Sequence, residues 1–140
     1  MRSRHMGREI ALSTLYSLDF NGVLYSQTGT PDFPTLNDEE KELLDSETAL
    51  FAKYLITGTL EHLKEIDALV SSFSINRPLD RIDIIDRNIL RMSVFSILYD
   101  KEIHASVVIT EAVRLSQEYS REVNYKFING ILDSIVKEHS

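Results

Sequence analysis

Four histidines, His5, His62, His104 and His139, and 22 Asp and Glu residues are the side chains of this 140-residue chain suited to metal or acid–base chemistry. Metal ligands on a helix must share a face, as in Glu-x-x-His or His-Glu-x-x-His, and none of the four histidines has either spacing. Glu61 and His62 are sequence neighbours, about 100° apart on a helix, and read as solvated. The sequence therefore predicts no metal site. Carboxylates one helical turn apart, Asp38 with Glu42 and Glu61 with Glu65, sit in acidic stretches where such pairs serve solubility. Cysteine is absent, which removes thiolate catalysis, disulfides and Cys-ligated zinc. No glycine-rich phosphate loop with a following Lys, no G-x-G-x-x-G and no G-x-S-x-G is present. The chain reads as a binding protein, not an enzyme, and needs no cofactor.

Three groups could bind. Arg2, Arg4 and Arg8, with His5 among them, form an acid-free start able to contact phosphate, or else a frayed end. Arg87 and Arg91 lie one turn apart beside Asp86. They give their helix either a cationic and an acidic edge or an internal pair between Asp83 and Arg87. Phe127 falls outside the apolar arc of the last helix and next to Lys126, as base stacking requires, unless another helix covers it. The net charge of −7 argues against strong nucleic-acid binding, but it is uneven: residues 81–140 carry 8 bases and 9 acids, while residues 1–80 carry 7 and 13.

The elements that must position these groups are helices. Apolar residues recur at three-four spacing throughout, and glycine and proline total only eight. The first helix is expected over about Arg8–Asn21, stopped by Gly22, with a loop to Thr35. Asn37 or Asp38 caps a short acidic helix. Ser46 caps a long one whose stripe runs from Ala52 to Phe73 and ends at Asn76-Arg77-Pro78. The next, Asp83–Tyr99, is apolar nearly all round and belongs in the middle. Helices Ser106–Tyr119 and Asn124–Lys137 follow, the second capped by Asn124. This is an all-α chain of one domain, and a boundary at Pro78 would divide it into subdomains of about 1–78 and 79–140. Its longest uninterrupted apolar runs, such as Ala49–Ala52, are far below the ~20 residues of a membrane span, so a cytoplasmic location with no membrane is expected.

Asp86-Arg-Asn-Ile-Leu-Arg91, then Glu111-Ala-Val, then Lys126-Phe-Ile-Asn-Gly-Ile-Leu-Asp133, with Arg8-Glu-Ile-Ala and Leu15-Tyr16 at the start, resemble the NusB family of bacterial transcription antitermination factors in order and spacing. The resemblance implies a helical bundle of two three-helix-type subdomains. It implies binding of single-stranded boxA RNA together with the ribosomal protein NusE, within the RNA polymerase antitermination complex, in ribosomal RNA operons. By position it assigns Arg2, Arg4, Arg8, Phe73, Arg91, Lys126 and Phe127 to RNA, and Tyr16 and Asp86 to the protein partner. The chain departs from the family where Ser3, Met6 and Gly7 dilute the arginine-rich start, and at Ser96 and Thr110. Two other roles fit the same resemblance: a self-associating homodimer that covers the RNA face, and an accessory subunit of an rRNA-modifying enzyme.

Overall fold

The computed structural model describes residues 2–139, with the side chain of residue 2 outside the described set. Among the described residues there are seven α-helices and no strand. They are α1 (Arg2–Phe20), α2 (Asp38–Leu43), α3 (Ser46–Glu61), α4 (Leu63–Phe73), α5 (Ile84–Tyr99), α6 (Ala105–Tyr119) and α7 (Tyr125–His139). No helix is long and apolar enough to cross a membrane.

Helix α5 is the axis. Ten of its residues are buried, and it packs against α1, α3, α4, α6 and α7, as a helix with apolar residues on every side must. Helices α1, α4 and α6 run antiparallel to it. Asp19 near the end of α1 meets Arg87 near the start of α5, while Arg4 lies beside Asp100, just past the end of α5. One hydrophobic cluster joins Leu15, Leu55, Ile66, Leu90, Leu115 and Leu132, and so includes residues from both sides of Pro78.

Several boundaries follow from local chemistry. Gly22 adopts a φ of +72°, and the Val23 N–H donates to Leu18 O at 2.9 Å, closing α1 with the left-handed turn that glycine adopts without strain. Asn37 caps α2 in a reciprocal box with Glu40. Other boundaries differ from expectation. Helix α1 begins at Arg2 rather than near Arg8, because Gly7 lets it lie against Phe51, where an added Cβ would come within 2.7 Å of the ring. Asp45, not Ser46, caps α3, its carboxylate accepting from Thr48 N at 2.8 Å. The expected long helix breaks at His62, whose ring stacks on Tyr99 at 3.9 Å between centroids. Asn124, just before α7, donates its side-chain amide to Asp83 and Asp86 at 2.8 and 2.7 Å.

Gly58 marks the tightest crossing, where a Cβ would lie 2.1 Å from Phe95 Cζ. That ring is itself held by Tyr54, His62 and Tyr99. Gly58→Ala is expected to lose about 1–2 kcal/mol of stability: overpacking costs somewhat more, and alanine's better helix propensity returns part of it. Urea denaturation would measure this, and an unchanged midpoint would mean that the aromatic stack yields without cost.

Candidate nucleic-acid interface

Helices α4 and α7 bring three of the expected RNA residues together. Phe73 ends α4 and Phe127 lies in the first turn of α7. Both are half-buried, and with the exposed Lys126 they border a groove of about 510 Å³. Its other wall is the connection after α4, including Ser74, Asn76 and Arg77, and Gly130 and Ser134 continue it along α7. Gly130 leaves it open, since a Cβ there would meet nothing within 4 Å. The Arg77 guanidinium sits 4.5 Å from the centre of the Phe127 ring. Among the described residues no carboxylate lines this groove, although the chain has 22 acidic residues. Two rings and two cations in an acid-free recess suit a base and its phosphate. Sequence reasoning missed Arg77, which looked only like part of a helix stop; its place one residue before Pro78, on a turn pressed towards α7, is set by tertiary packing.

The arginine-rich start lies elsewhere. Arg4 is exposed and lies 4.2 Å from the Phe51 ring centre, in a recess also lined by Glu47, Asp100 and Glu102. Arg8 is buried 3.8 Å from Glu111 and 5.2 Å from Phe51, and burial, only partly countered by Glu111, lowers its pKa. The guanidinium that the resemblance assigns to RNA is thus enclosed here. The Arg2 side chain lies outside the described residues. These residues stand near the end of α5 and the groove near its start, roughly 24 Å apart at 1.5 Å per helical residue.

Arg91, which the resemblance assigns to the RNA side, is enclosed as well. It is 2% exposed, and its guanidinium binds Asp67 through Nε at 2.8 Å and Asp19 and Asn88 through Nη1 at 2.8 and 2.9 Å. Burial disfavours this cation, but the hydrogen bond and charge of Asp67, with the charge of Asp19, outweigh it and raise its pKa. Arg87 joins the same cluster through Asp19 at 2.7 Å, rather than through Asp83, one of the two alternatives the sequence offered. For Asp19, burial is likewise outweighed, by hydrogen bonds from Arg87 and Asn88 and by the charges of Arg91 and Arg87, so its pKa falls.

Of the two residues expected to face a protein, Tyr16 is half-buried and stacks on the 69%-exposed Phe20 at 5.8 Å. Asp86, which the resemblance assigns to the protein partner, is 2% exposed. Its carboxylate ties three helices together, accepting from Ser116 Oγ at 3.2 Å, Ser120 Oγ at 2.8 Å and Asn124 Nδ2 at 2.7 Å. Burial pushes its pKa up, and these hydrogen bonds offset that only in part. A carboxyl with a raised native pKa contributes most below the unfolded value of ~3.9, and the contribution is lost as pH rises through the native value. Asp86→Asn should therefore gain on the wild type as pH rises above about 4. Denaturation at a series of pH values would check this, and a difference that does not change with pH would contradict it.

The comparisons with known proteins agree with this architecture. The NusB family model matches residues 5–137. The transcription antitermination protein NusB of Leptospira biflexa is 38% identical over 138 residues, covering 99% of this chain and 94% of its own. A crystal form of T. maritima NusB superposes with a TM-score of 0.81 at 31% identity, covering 96% of this chain and 91% of that one. NusB from a complex of antitermination factors NusB and NusE with dsRNA gives 0.80 at 28% identity, covering 99% and 98%. With nearly every residue inside the family match and the same helical architecture, this chain belongs to the NusB family of transcription antitermination proteins.

Proposed function

We propose that this chain binds a boxA-type single-stranded segment of nascent RNA in the cytoplasm, jointly with the ribosomal protein NusE. In this role it supports read-through by RNA polymerase in ribosomal RNA operons. The observation that carries the reading is the acid-free groove between Phe73, Arg77, Lys126 and Phe127 in a protein of net charge −7. A base entering it would displace Arg77 from the Phe127 ring and leave that guanidinium to a phosphate, with Lys126 beside it. The solved relative that holds both NusE and RNA supports the choice of partner. Tyr16 and the exposed Phe20 offer that partner an aromatic pair, where an apolar contact would bury area now facing water.

Two groove cations in an acidic protein cannot grip RNA strongly alone, so a basic partner should raise affinity by adding phosphate contacts. For single strands, log K falls with log salt at a slope near −0.7 per phosphate neutralised. Titrating labelled boxA-like RNA with the chain alone and with NusE, at several salt concentrations, is expected to give tighter binding and a steeper slope with the partner, lost when the RNA is scrambled. Equal affinity for boxA-like and scrambled RNA in the presence of NusE would overturn the reading.

A further inference from the structure

We propose that His5, Glu9 and Glu118 form a binding site for a divalent transition-metal ion of the zinc type, joining the first turns of α1 to the last turn of α6. His5 and Glu9 are one turn apart on α1, and Glu118 reaches them from α6. His5 Nε2 stands 3.2 Å from Glu118 Oε1 and 3.7 Å from Glu9 Oε2, and the three donor atoms lie within 4.8 Å of one another. Zinc–nitrogen and zinc–oxygen bonds of about 2.0–2.2 Å at tetrahedral angles put donors about 3.3–3.6 Å apart, so small side-chain adjustments would seat the ion.

The surroundings have the character of a metal site's outer shell. Tyr119 donates its hydroxyl proton to Glu9, and the Arg114 Nε lies 3.1 Å from Glu118 Oε1. His5 is 12% exposed, and its second nitrogen, Nδ1, is buried with no hydrogen-bond partner, 3.8 Å from Glu111. A metal on Nε2 leaves the ring proton on Nδ1, directed at that carboxylate, which fixes the tautomer as ligating histidines require. One imidazole and two carboxylates favour zinc over magnesium or calcium, whose sites are built from oxygen alone, and three protein ligands leave a fourth position for water. The two carboxylates supply negative charge to the ion, which would displace the Arg114 guanidinium from Glu118 Oε1. Binding would pin the turns of α1 that carry Arg4 and Arg8 to α6, away from the groove.

Chelator-treated protein titrated with zinc chloride is expected to bind one equivalent, read by competition with a chromophoric chelator. Its Tm should rise with the logarithm of free zinc, because the ion binds only the folded state. Cobalt(II) in its place should give the visible absorption of a four-coordinate ion. His5→Gln and Glu118→Gln, each shown folded by circular dichroism, should lose the Tm rise and the cobalt bands, whereas His139→Gln should keep both. No zinc-dependent Tm rise in the wild type, or an equal rise in His5→Gln, would overturn the proposal.

Discussion

Replacing Arg91 with alanine is expected to destabilise the protein by about 3–5 kcal/mol, the range found when one partner of a buried ion pair is removed. Arg91 is the only cation in contact with Asp67 among the described ion pairs, and it shares Asp19 with Arg87. Without it, the Asp67 carboxylate keeps only the Tyr25 hydroxyl, and the amide oxygen of Asn88 loses its donor. A domain with a typical 5–15 kcal/mol of stability would lose a large part of it, and Tm would fall by on the order of 10–15 °C. Thermal melting and urea titration would measure both. At a temperature where the variant is still folded, its RNA affinity should match that of the wild type, because the 2%-exposed guanidinium reaches no ligand. A loss of RNA affinity with stability intact would return Arg91 to the binding surface.

Phe127→Ala is expected to cost roughly 1–3 kcal/mol of RNA affinity, on the order of 5- to 150-fold, if a base stacks on the ring. The ring is half-buried against the core, so some stability goes with it, and the two effects must be separated. Phe127→Leu serves that purpose. It keeps apolar contact with the core but removes the aromatic face, so affinity should fall nearly as far as in the alanine variant while Tm changes little. Should both variants melt early and bind RNA normally, Phe127 is a packing residue. Lys126→Ala, by contrast, should make the slope of log K against log salt shallower by about 0.7, the share of one phosphate, with little change in Tm.

The sequence made the helices legible because each repeats apolar residues at helical spacing and several carry their own stop or cap, as Gly22 and Asn37 do. It also singled out α5 as central, since apolar residues fall nearly all the way round it. The start of α1 was not legible: its first two turns hold arginines and serine rather than an apolar stripe, and their helicity depends on Phe51 and the α6 carboxylates, which lie far along the chain. The same separation hid the fates of Arg91 and Asp86. Charges on a helix that is buried all round must find partners, but those of Arg91 lie 24 and 72 residues away and those of Asp86 at 30–38. Family resemblance assigns both to a binding surface by position, while both side chains are 2% exposed. Phe73, Lys126 and Phe127 were legible because the resemblance named all three, and the last two also stood together outside the apolar arc of α7; Arg77 was not, because nothing local distinguishes it from a helix terminator. The histidine site was missed for a related reason, since only two of its ligands share a helix and they are not in the spacings sought.

In the proposed function RNA enters the groove between α4 and α7. The most direct test is photocrosslinking of boxA-like RNA carrying 5-iodouridine to the complex with NusE, followed by identification of the modified peptides. Crosslinks within residues 73–77 and 125–131, with Phe127 foremost, are the predicted result. Crosslinks confined to the recess of Arg4 and Phe51 at the far end of α5 would contradict it.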